Sequence, residues 1–172
     1  MKKPECFKDL LELQKILDSN IHNVRERTDK DIILSLIAEI IEWNEESKYS
    51  HKTWKTKAID KQKEFEEMID ILFFILQYIN WEEINRPKKF EGIIKSYINA
   101  FDNFKLYFRP SGRWYDYGVI NLINQATNQN IYDVLFKLTH LFVYNGYTME
   151  DVKNGYYAKW QKNMKRIGTE WN

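Results

Sequence analysis

Two of the most apolar segments of the chain each carry a pair of carboxylates three residues apart. The pairs are Glu39 with Glu42 and Glu67 with Asp70. Residues with this spacing lie on the same face of an α-helix, so each pair can direct its oxygen atoms at one point. A carboxylate that is buried without a partner costs several kcal/mol or becomes neutral. The chain must therefore fold so that something cationic reaches these four groups.

Basic side chains are missing from both segments. No Lys or Arg occurs between Asp31 and Lys48 or between Glu64 and Arg86. A Lys or Arg partner would explain one buried acid, but four acids in two pairs would need several such partners. A hard divalent cation fits better, and Mg²⁺ is commonly held by acids, water and the phosphate oxygens of a substrate. We therefore expect Mg²⁺, for which Mn²⁺ can substitute.

The histidines disfavour two other kinds of metal site. His22, His51 and His140 are dispersed, and none has the spacing with Cys or another His that zinc sites use. A di-iron bundle also gathers acids from facing helices, but it uses Glu-x-x-His motifs. No Glu of this chain stands three residues before a His. Magnesium chemistry then predicts a phosphate ester or anhydride as the substrate.

Apolar residues recur with helical spacing along almost the whole chain, which contains only 3 Pro and 6 Gly. We therefore expect an all-α helical bundle. At 172 residues with 44% hydrophobic residues, the chain has the size of one domain, spanning 1–172, with a real core. Helices are expected over about 4–20, 28–46, 60–87, 90–108, 119–127 and 131–144 and after Thr148, with a turn over 109–117.

Charge and composition exclude several classes of protein. The net charge of +1 gives no electrostatic reason to expect a nucleic-acid polymer or an anionic membrane as partner. The longest apolar run, Met68 to Ile79, is interrupted by Asp70 and Gln77 and is shorter than the roughly 20 residues of a membrane span. The single cysteine, Cys6, is compatible with a reducing compartment. We expect a cytoplasmic protein.

Phosphate binding must rely on side chains, because the chain has neither a Walker-type loop nor a Gly-x-Gly-x-x-Gly motif. Lys55 and Lys57 follow the first acidic pair. Lys159, Asn163 and Arg166 form one stripe on the last predicted helix. Alone, such a stripe is more typical of a solvated surface. Beside an acidic metal site, it favours phosphate binding.

The chemistry that these groups predict is attack of a metal-activated water on phosphorus, without a covalent intermediate. One carboxylate would take the proton while the others hold the ions. Glu39 is the first choice for the base and Glu42 the alternative, since their spacing does not separate them. Glu66 is the alternative to Glu67 as a ligand, because it stands four residues before Asp70.

The motifs together resemble the dimeric, all-α dUTPases, relatives of the MazG-type nucleotide pyrophosphohydrolases. The family pattern is Glu-x-x-Glu followed, after a few tens of residues, by Glu-x-x-Asp. Ala-Glu-Ile-Ile-Glu-Trp-Asn at 38–44 and Lys-Thr-Trp-Lys at 52–55 are similar to the corresponding stretch of family members. Leu-Gln-Lys-Ile-Leu-Asp at 13–18 resembles a motif that supplies a Gln to the base pocket.

The resemblance implies hydrolysis of dUTP, and of dUDP, to dUMP with magnesium. It also implies a homodimer in which helices of one subunit help to close the site of the other. Gln14 would contact uracil, and Trp54 would lie near the nucleotide. Tyr156 would join Lys159, Asn163 and Arg166 in gripping the phosphates and the sugar. Without the resemblance, Gln14 would be an exposed polar residue and Trp54 a structural lid on the hairpin.

Two alternatives remain open at this stage. A dCTP or modified-nucleotide pyrophosphohydrolase would use the same acids with another base pocket. A non-catalytic helical interaction protein could keep the fold and bind a partner through its aromatic surface. The presence of all four acids disfavours the second alternative, because a degenerate copy has no physical reason to keep buried carboxylates.

Overall fold

A computed structural model describes residues 2–104 and 112–168, the side chains of 112–117 excepted. Within these residues the chain forms helices and no strand, so the all-α prediction is confirmed. The helices are α1 (Phe7–Asn20), α2 (Asp29–Glu46), α3 (Lys61–Asn85), α4 (Pro87–Asp102), α5 (Gly112–Thr127), α6 (Ile131–Tyr144) and α7 (Met149–Arg166).

The helical hairpin of α2 and α3 begins where the sequence predicts. The Thr28 hydroxyl accepts a hydrogen bond from the backbone N–H of Asp31, whose carboxylate accepts one from the backbone N–H of Thr28. The Asp60 carboxylate accepts from the first backbone N–H groups of α3. Both caps satisfy donors that have no partner inside the helix. The two helices then pack along each other and bring the acidic pairs into one region.

The core is built around α3, which packs against α1, α2, α4, α6 and α7. Its side chains are therefore buried on more than one face, as Met68, Ile71 and Leu76 illustrate with no exposed surface. The helix ends at Asn85, and Pro87 begins α4 at a position where its missing N–H leaves no helical bond unmade. Polar groups carried by α3 thus lie deep in the bundle.

The structure corrects several predicted helix boundaries. Residues 112–117, predicted as part of a turn, are the first residues of α5. The glycine that suggested the turn stands at the first helical residue, where backbone N–H groups need no partner within the helix. The first helix begins at Phe7, and Pro4 is buried ahead of it. The fourth helix ends at Asp102, and residues 105–111 lie outside the described part of the chain.

The last helix, α7, packs against α1, α3 and α6. It starts with the predicted capping box of Thr148 and Asp151. Gly155 lets it approach α3 closely, because a Cβ atom built there would lie 2.6 Å from Cε1 of Phe65. The indole N–H of Trp160 donates to the carbonyl oxygen of Leu13 over 2.7 Å. Among the described helices, none combines the length and apolar character that crossing a membrane requires.

Candidate active site

A cavity of about 460 Å³ opens between α1, α2, α3 and α7. Most of the predicted site residues line it: Gln14, Glu39, Glu42, Glu67, Asp70, Lys159, Asn163 and Arg166. Leu17, Phe73 and Phe74 add apolar surface to its wall. Three consecutive helices and the distant α7 therefore bring acids, cations and amides together in one space.

Three of the four acids form a compact group. Glu39, Glu67 and Asp70 each offer one carboxylate oxygen, and these atoms lie within 4.8 Å of one another. Glu42 lines the same cavity but is more exposed and lies outside this group. Glu66, the alternative to Glu67, is exposed and accepts a hydrogen bond from Nε2 of Gln62 over 2.8 Å. Its carboxylate does not line the cavity, so the geometry favours Glu67.

Burial and neighbouring acids raise the pKa of all three carboxyl groups. Burial, together with the charges of Asp70, Glu42 and Glu67, raises the pKa of Glu39 to about 8. The pKa of Glu67 is raised as well, by burial and by the charge of Asp70. Each shift has the direction expected when negative charges are crowded away from water. Without a bound cation, Glu39 is therefore largely protonated at neutral pH, and a cation that binds here would have to displace that proton.

One protein cation does reach the acids. The ammonium group of Lys159 on α7 forms an ion pair with Asp70 on α3, 89 residues away in sequence. The basic partner of Asp70 thus comes from outside both acidic segments, and it accounts for one of the four acids. The pKa of Asp70 is still raised, since burial outweighs the effect of Lys159. The remaining carboxylate oxygens are a donor set that suits a hard divalent cation.

Gln14 is part of a buried hydrogen-bond chain. Its side chain is only 3% exposed, so the alternative of an exposed polar residue on α1 is wrong. The Tyr156 hydroxyl donates to Oε1 of Gln14 over 2.8 Å, and Nε2 of Gln14 donates to Oδ1 of Asp18 over 2.8 Å. Tyr156 also stacks on Phe73, with 4.3 Å between the ring centroids. It therefore holds Gln14 in place and does not itself line the cavity.

The comparison with known families agrees with this geometry. The family model described as dUTPase matches residues 6–171. The chain belongs to the all-α dUTPase family. This family membership supports dUTP hydrolysis in general, and the family generally uses a divalent metal. A search of curated proteins finds no match.

Sequence reasoning missed three polar residues that line the cavity of this dUTPase-family chain: Asp18, Arg27 and Gln77. Nε2 of Gln77 donates to Oδ1 of Asp18 over 2.7 Å. Burial raises the pKa of Asp18 to about 6, although hydrogen bonds from Gln14 and Gln77 oppose the shift. Helical spacing contained part of this signal, because Asp18 stands four residues after Gln14 and Gln77 seven residues after Asp70.

The loop between α2 and α3 directs its lysines away from the cavity. Nζ of Lys55 lies 3.1 Å and Nζ of Lys57 lies 3.6 Å from the carboxylate of Glu46, which Lys63 also contacts at 2.9 Å. Trp54, in the same loop, is 75% exposed. None of the three predicted loop residues, Trp54, Lys55 and Lys57, therefore lines the cavity. The nearby acid Glu46, which sequence reasoning did not consider, accounts for the lysine positions.

Proposed function

We propose that this chain hydrolyses dUTP to dUMP and pyrophosphate, and dUDP to dUMP and phosphate, with Mg²⁺ as cofactor. The observation that carries the proposal is the approach of carboxylate oxygens from Glu39, Glu67 and Asp70 to within 4.8 Å of one another. They lie in a cavity that also contains Lys159 and Arg166. A polyanionic nucleotide that binds through divalent cations requires carboxylates for the metal and cationic side chains for the phosphates.

The acids would hold the metal and move one proton. Glu39, Glu67 and Asp70, with Glu42 at the more exposed side, would provide the ligands, and Mn²⁺ would substitute for Mg²⁺. Bound there, the metal would neutralise phosphate charge and lower the pKa of water. Glu39 would accept the proton of the attacking water at a carboxylate oxygen. Without a metal, the pKa of about 8 leaves this carboxyl largely protonated at neutral pH, so Glu39 would act as a base only in the form whose proton the bound cation has displaced.

The cations of α7 would bind the phosphates. Lys159 supplies an ammonium group, and Arg166 supplies the planar guanidinium that suits phosphate oxygens. Asn163 stands one turn from Lys159 on the same helix and lines the same cavity. A contribution from Lys55 or Lys57 would require these side chains to leave Glu46.

The pyrimidine would lie against Gln14 and the apolar wall formed by Phe73 and Phe74. The buried amide of Gln14 is oriented by Tyr156 and Asp18 and therefore gives the pocket a defined hydrogen-bond pattern. A second candidate substrate, dCTP, is kept because an ionised Asp18 only accepts hydrogen bonds. It could accept one from N3–H of uracil or from the amino group of cytosine.

The organisation of the protein is also part of the proposal. We propose that residues 1–172 form a single domain that works in the cytoplasm as a homodimer. The outer face of α2 supports a subunit contact, because Leu34 and Ile41, seven residues apart, are 66% and 38% exposed. Glu42, at the edge of the cavity, lies beside Ile41 in sequence.

The test is hydrolysis of each deoxynucleoside triphosphate with Mg²⁺ or with EDTA, followed by chromatography of the monophosphates. We expect dUTP turnover that EDTA abolishes and that Glu39→Gln lowers by about 10²–10⁴-fold, the usual contribution of a general base. Glu91→Gln, which changes an exposed carboxylate on α4, should keep the wild-type rate. Direct competition between dUTP and dCTP decides the base.

Two results would reject parts of the proposal. Equal turnover of all nucleotides would remove the dUTP assignment but keep a pyrophosphohydrolase. A protein that hydrolyses none of them, and whose melting temperature Mg²⁺ does not raise, would be the non-catalytic alternative.

A further inference from the structure

We propose that Lys159 and a divalent cation compete for the carboxylate of Asp70, so that cation binding releases the Lys159 ammonium group toward the phosphates of the substrate. The inference rests on the metal site of the proposed function and adds the order in which cation and substrate bind. The cation binds first, and its arrival creates the anion-binding form of α7. Lys159 is then the positioning residue that links the two binding events.

The first support is the identity of the contact. Nζ of Lys159 lies against Oδ2 of Asp70, and Asp70 is one of the acids whose oxygens converge in the cavity. The two side chains are only 23% and 18% exposed, so water screens their attraction poorly. A divalent cation held by Asp70, Glu39 and Glu67 would stand close to the ammonium group. The two cations would repel each other while sharing one carboxylate.

The second support is that the backbone around Lys159 is anchored. Tyr156, three residues earlier, is buried and bonded to Gln14, and Trp160, the next residue, is bonded to the carbonyl of Leu13. Gly155 sits against the ring of Phe65. The helix cannot withdraw from Asp70 without breaking these contacts. Relief of the repulsion must therefore come from rotation of the flexible Lys159 side chain.

The third support is where the released ammonium group would go. Asn163 and Arg166 follow Lys159 on the same helix and line the same cavity. An ammonium group that leaves Asp70 would therefore share the cavity with a second cation, and an anion between the two would offset the repulsion of their charges. Phosphate groups supply such an anion.

The primary experiment measures Mg²⁺ affinity by calorimetry on the full chain, without nucleotide, after EDTA treatment and dialysis. A pH of about 9, above the pKa of about 8 of Glu39, keeps protons from competing. We expect Lys159→Met, which keeps the aliphatic stem but removes the charge, to bind Mg²⁺ about tenfold more tightly than the wild type. Lys162→Met removes a charge from an exposed position of the same helix and should leave the affinity unchanged.

A second measurement follows the lysine itself. Amine-selective acylation, read by peptide mass spectrometry, should modify Lys159 slowly in EDTA and several-fold faster in Mg²⁺. Lys162 should react at the same rate in both conditions. This measurement uses the wild-type protein and does not depend on how a variant folds.

The outcomes separate this inference from the proposed function. Mg²⁺ binding of equal or lower affinity in Lys159→Met, or acylation of Lys159 that Mg²⁺ does not accelerate, overturns the competition and leaves the metal site intact. Absence of Mg²⁺ binding to both the wild type and Lys159→Met overturns the competition and the metal site together.

Discussion

The hydroxyl of Tyr156 donates a hydrogen bond to Oε1 of Gln14, 142 residues away in sequence, over 2.8 Å. This contact determines which way the Gln14 amide is turned, because an oxygen that faces a hydroxyl donor leaves the NH₂ group to face Asp18. An aromatic residue on α7 thus sets the hydrogen-bond pattern that α1 presents to the cavity.

Tyr156→Phe should therefore loosen Gln14 while keeping the stacking on Phe73. The variant leaves the buried oxygen of Gln14 without its donor, which costs about 1–3 kcal/mol in the free energy of unfolding. We also expect KM for dUTP to rise more than kcat falls. Urea denaturation and steady-state kinetics measure the two effects. Tyr132→Phe on α6, outside the cavity, is the control, and equal effects of the two variants would contradict this role of Tyr156.

The close approach of α7 to α3 predicts a strong effect of one added methyl group. In Gly155→Ala the new Cβ would lie 2.6 Å from the Phe65 ring, so the helices must separate or the ring must shift. We expect a loss of about 1–3 kcal/mol in the free energy of unfolding, typical of overpacking. Thermal or urea denaturation measures it.

Gly92→Ala is the matched control on α4, because a Cβ atom there meets nothing within 4 Å. Alanine favours a helix over glycine, so this variant should be neutral or about 0.5–1 kcal/mol more stable. A Gly155→Ala protein as stable as Gly92→Ala would mean that α7 does not pack this closely on α3.

The raised pKa of Glu39 predicts that the protein in EDTA becomes less stable as the pH rises. The folded state holds the Glu39 proton up to about pH 8, whereas the ordinary pKa of this group is 4.5. Between these values the folded state binds more protons than the unfolded chain, so the free energy of unfolding falls with increasing pH. Urea denaturation at several pH values from about 5 to 8 measures the slope.

Glu39→Gln removes this titration and should make the slope less negative, by at most about 1.4 kcal/mol per pH unit. Glu67, Asp70 and Asp18, whose pKa values are also raised, keep part of the slope in the variant. Saturating Mg²⁺ should oppose the loss of stability in the wild type, since the ionised form is the one that binds a cation. An identical slope in the wild type and the variant would show that Glu39 titrates normally.

The lysines around Glu46 predict a local effect on the loop between α2 and α3. Lys63 and Lys55 lower the pKa of Glu46 to about 2, and Lys57 lies nearby. In Glu46→Gln these ammonium groups lose their shared counterion. We expect faster amide hydrogen exchange over residues 48–60 but a loss of about 1 kcal/mol or less in global stability, since the lysines are partly exposed.

Glu45→Gln is the control for the loop, because within the described residues its carboxylate forms an ion pair with one lysine, Lys52. Its effect on exchange over residues 48–60 should be smaller. If Glu45→Gln loosened the loop more than Glu46→Gln, the cluster around Glu46 would not be what holds the lysines.

Local spacing predicted the features of this protein that depend on neighbouring residues. Helix α2 follows from its capping box and apolar period, and the convergence of Glu39 with Glu67 follows from two such helices packed side by side. The placement of Gln14, Lys159 and Arg166 in one cavity agrees with the family motifs that named them. Their roles in binding and catalysis remain predictions.

Features that depend on distant residues were not accessible from periodicity. The partner of Asp70 comes from α7, and the orientation of Gln14 depends on Tyr156, so neither follows from the segment that contains the residue. Lys55 and Lys57 were predicted to bind phosphate because they lie near the acidic pairs in sequence. In the structure their ammonium groups lie against the carboxylate of Glu46 instead. A glycine is common both just before and just after a helix, so Gly112 alone did not show that α5 begins there, and a turn was predicted instead.

The bonds that join α7 to α1 also determine when the cavity can first exist during synthesis. Trp160 and Tyr156 close on Leu13 and Gln14, which are made among the first residues described, and Lys159 must arrive before Asp70 has its protein partner. A nascent chain on the ribosome therefore leaves Gln14 and Asp70 without their α7 partners until α7 has been synthesised and can fold. Nascent chains that lack α7 should accordingly have no nucleotide-hydrolysing activity.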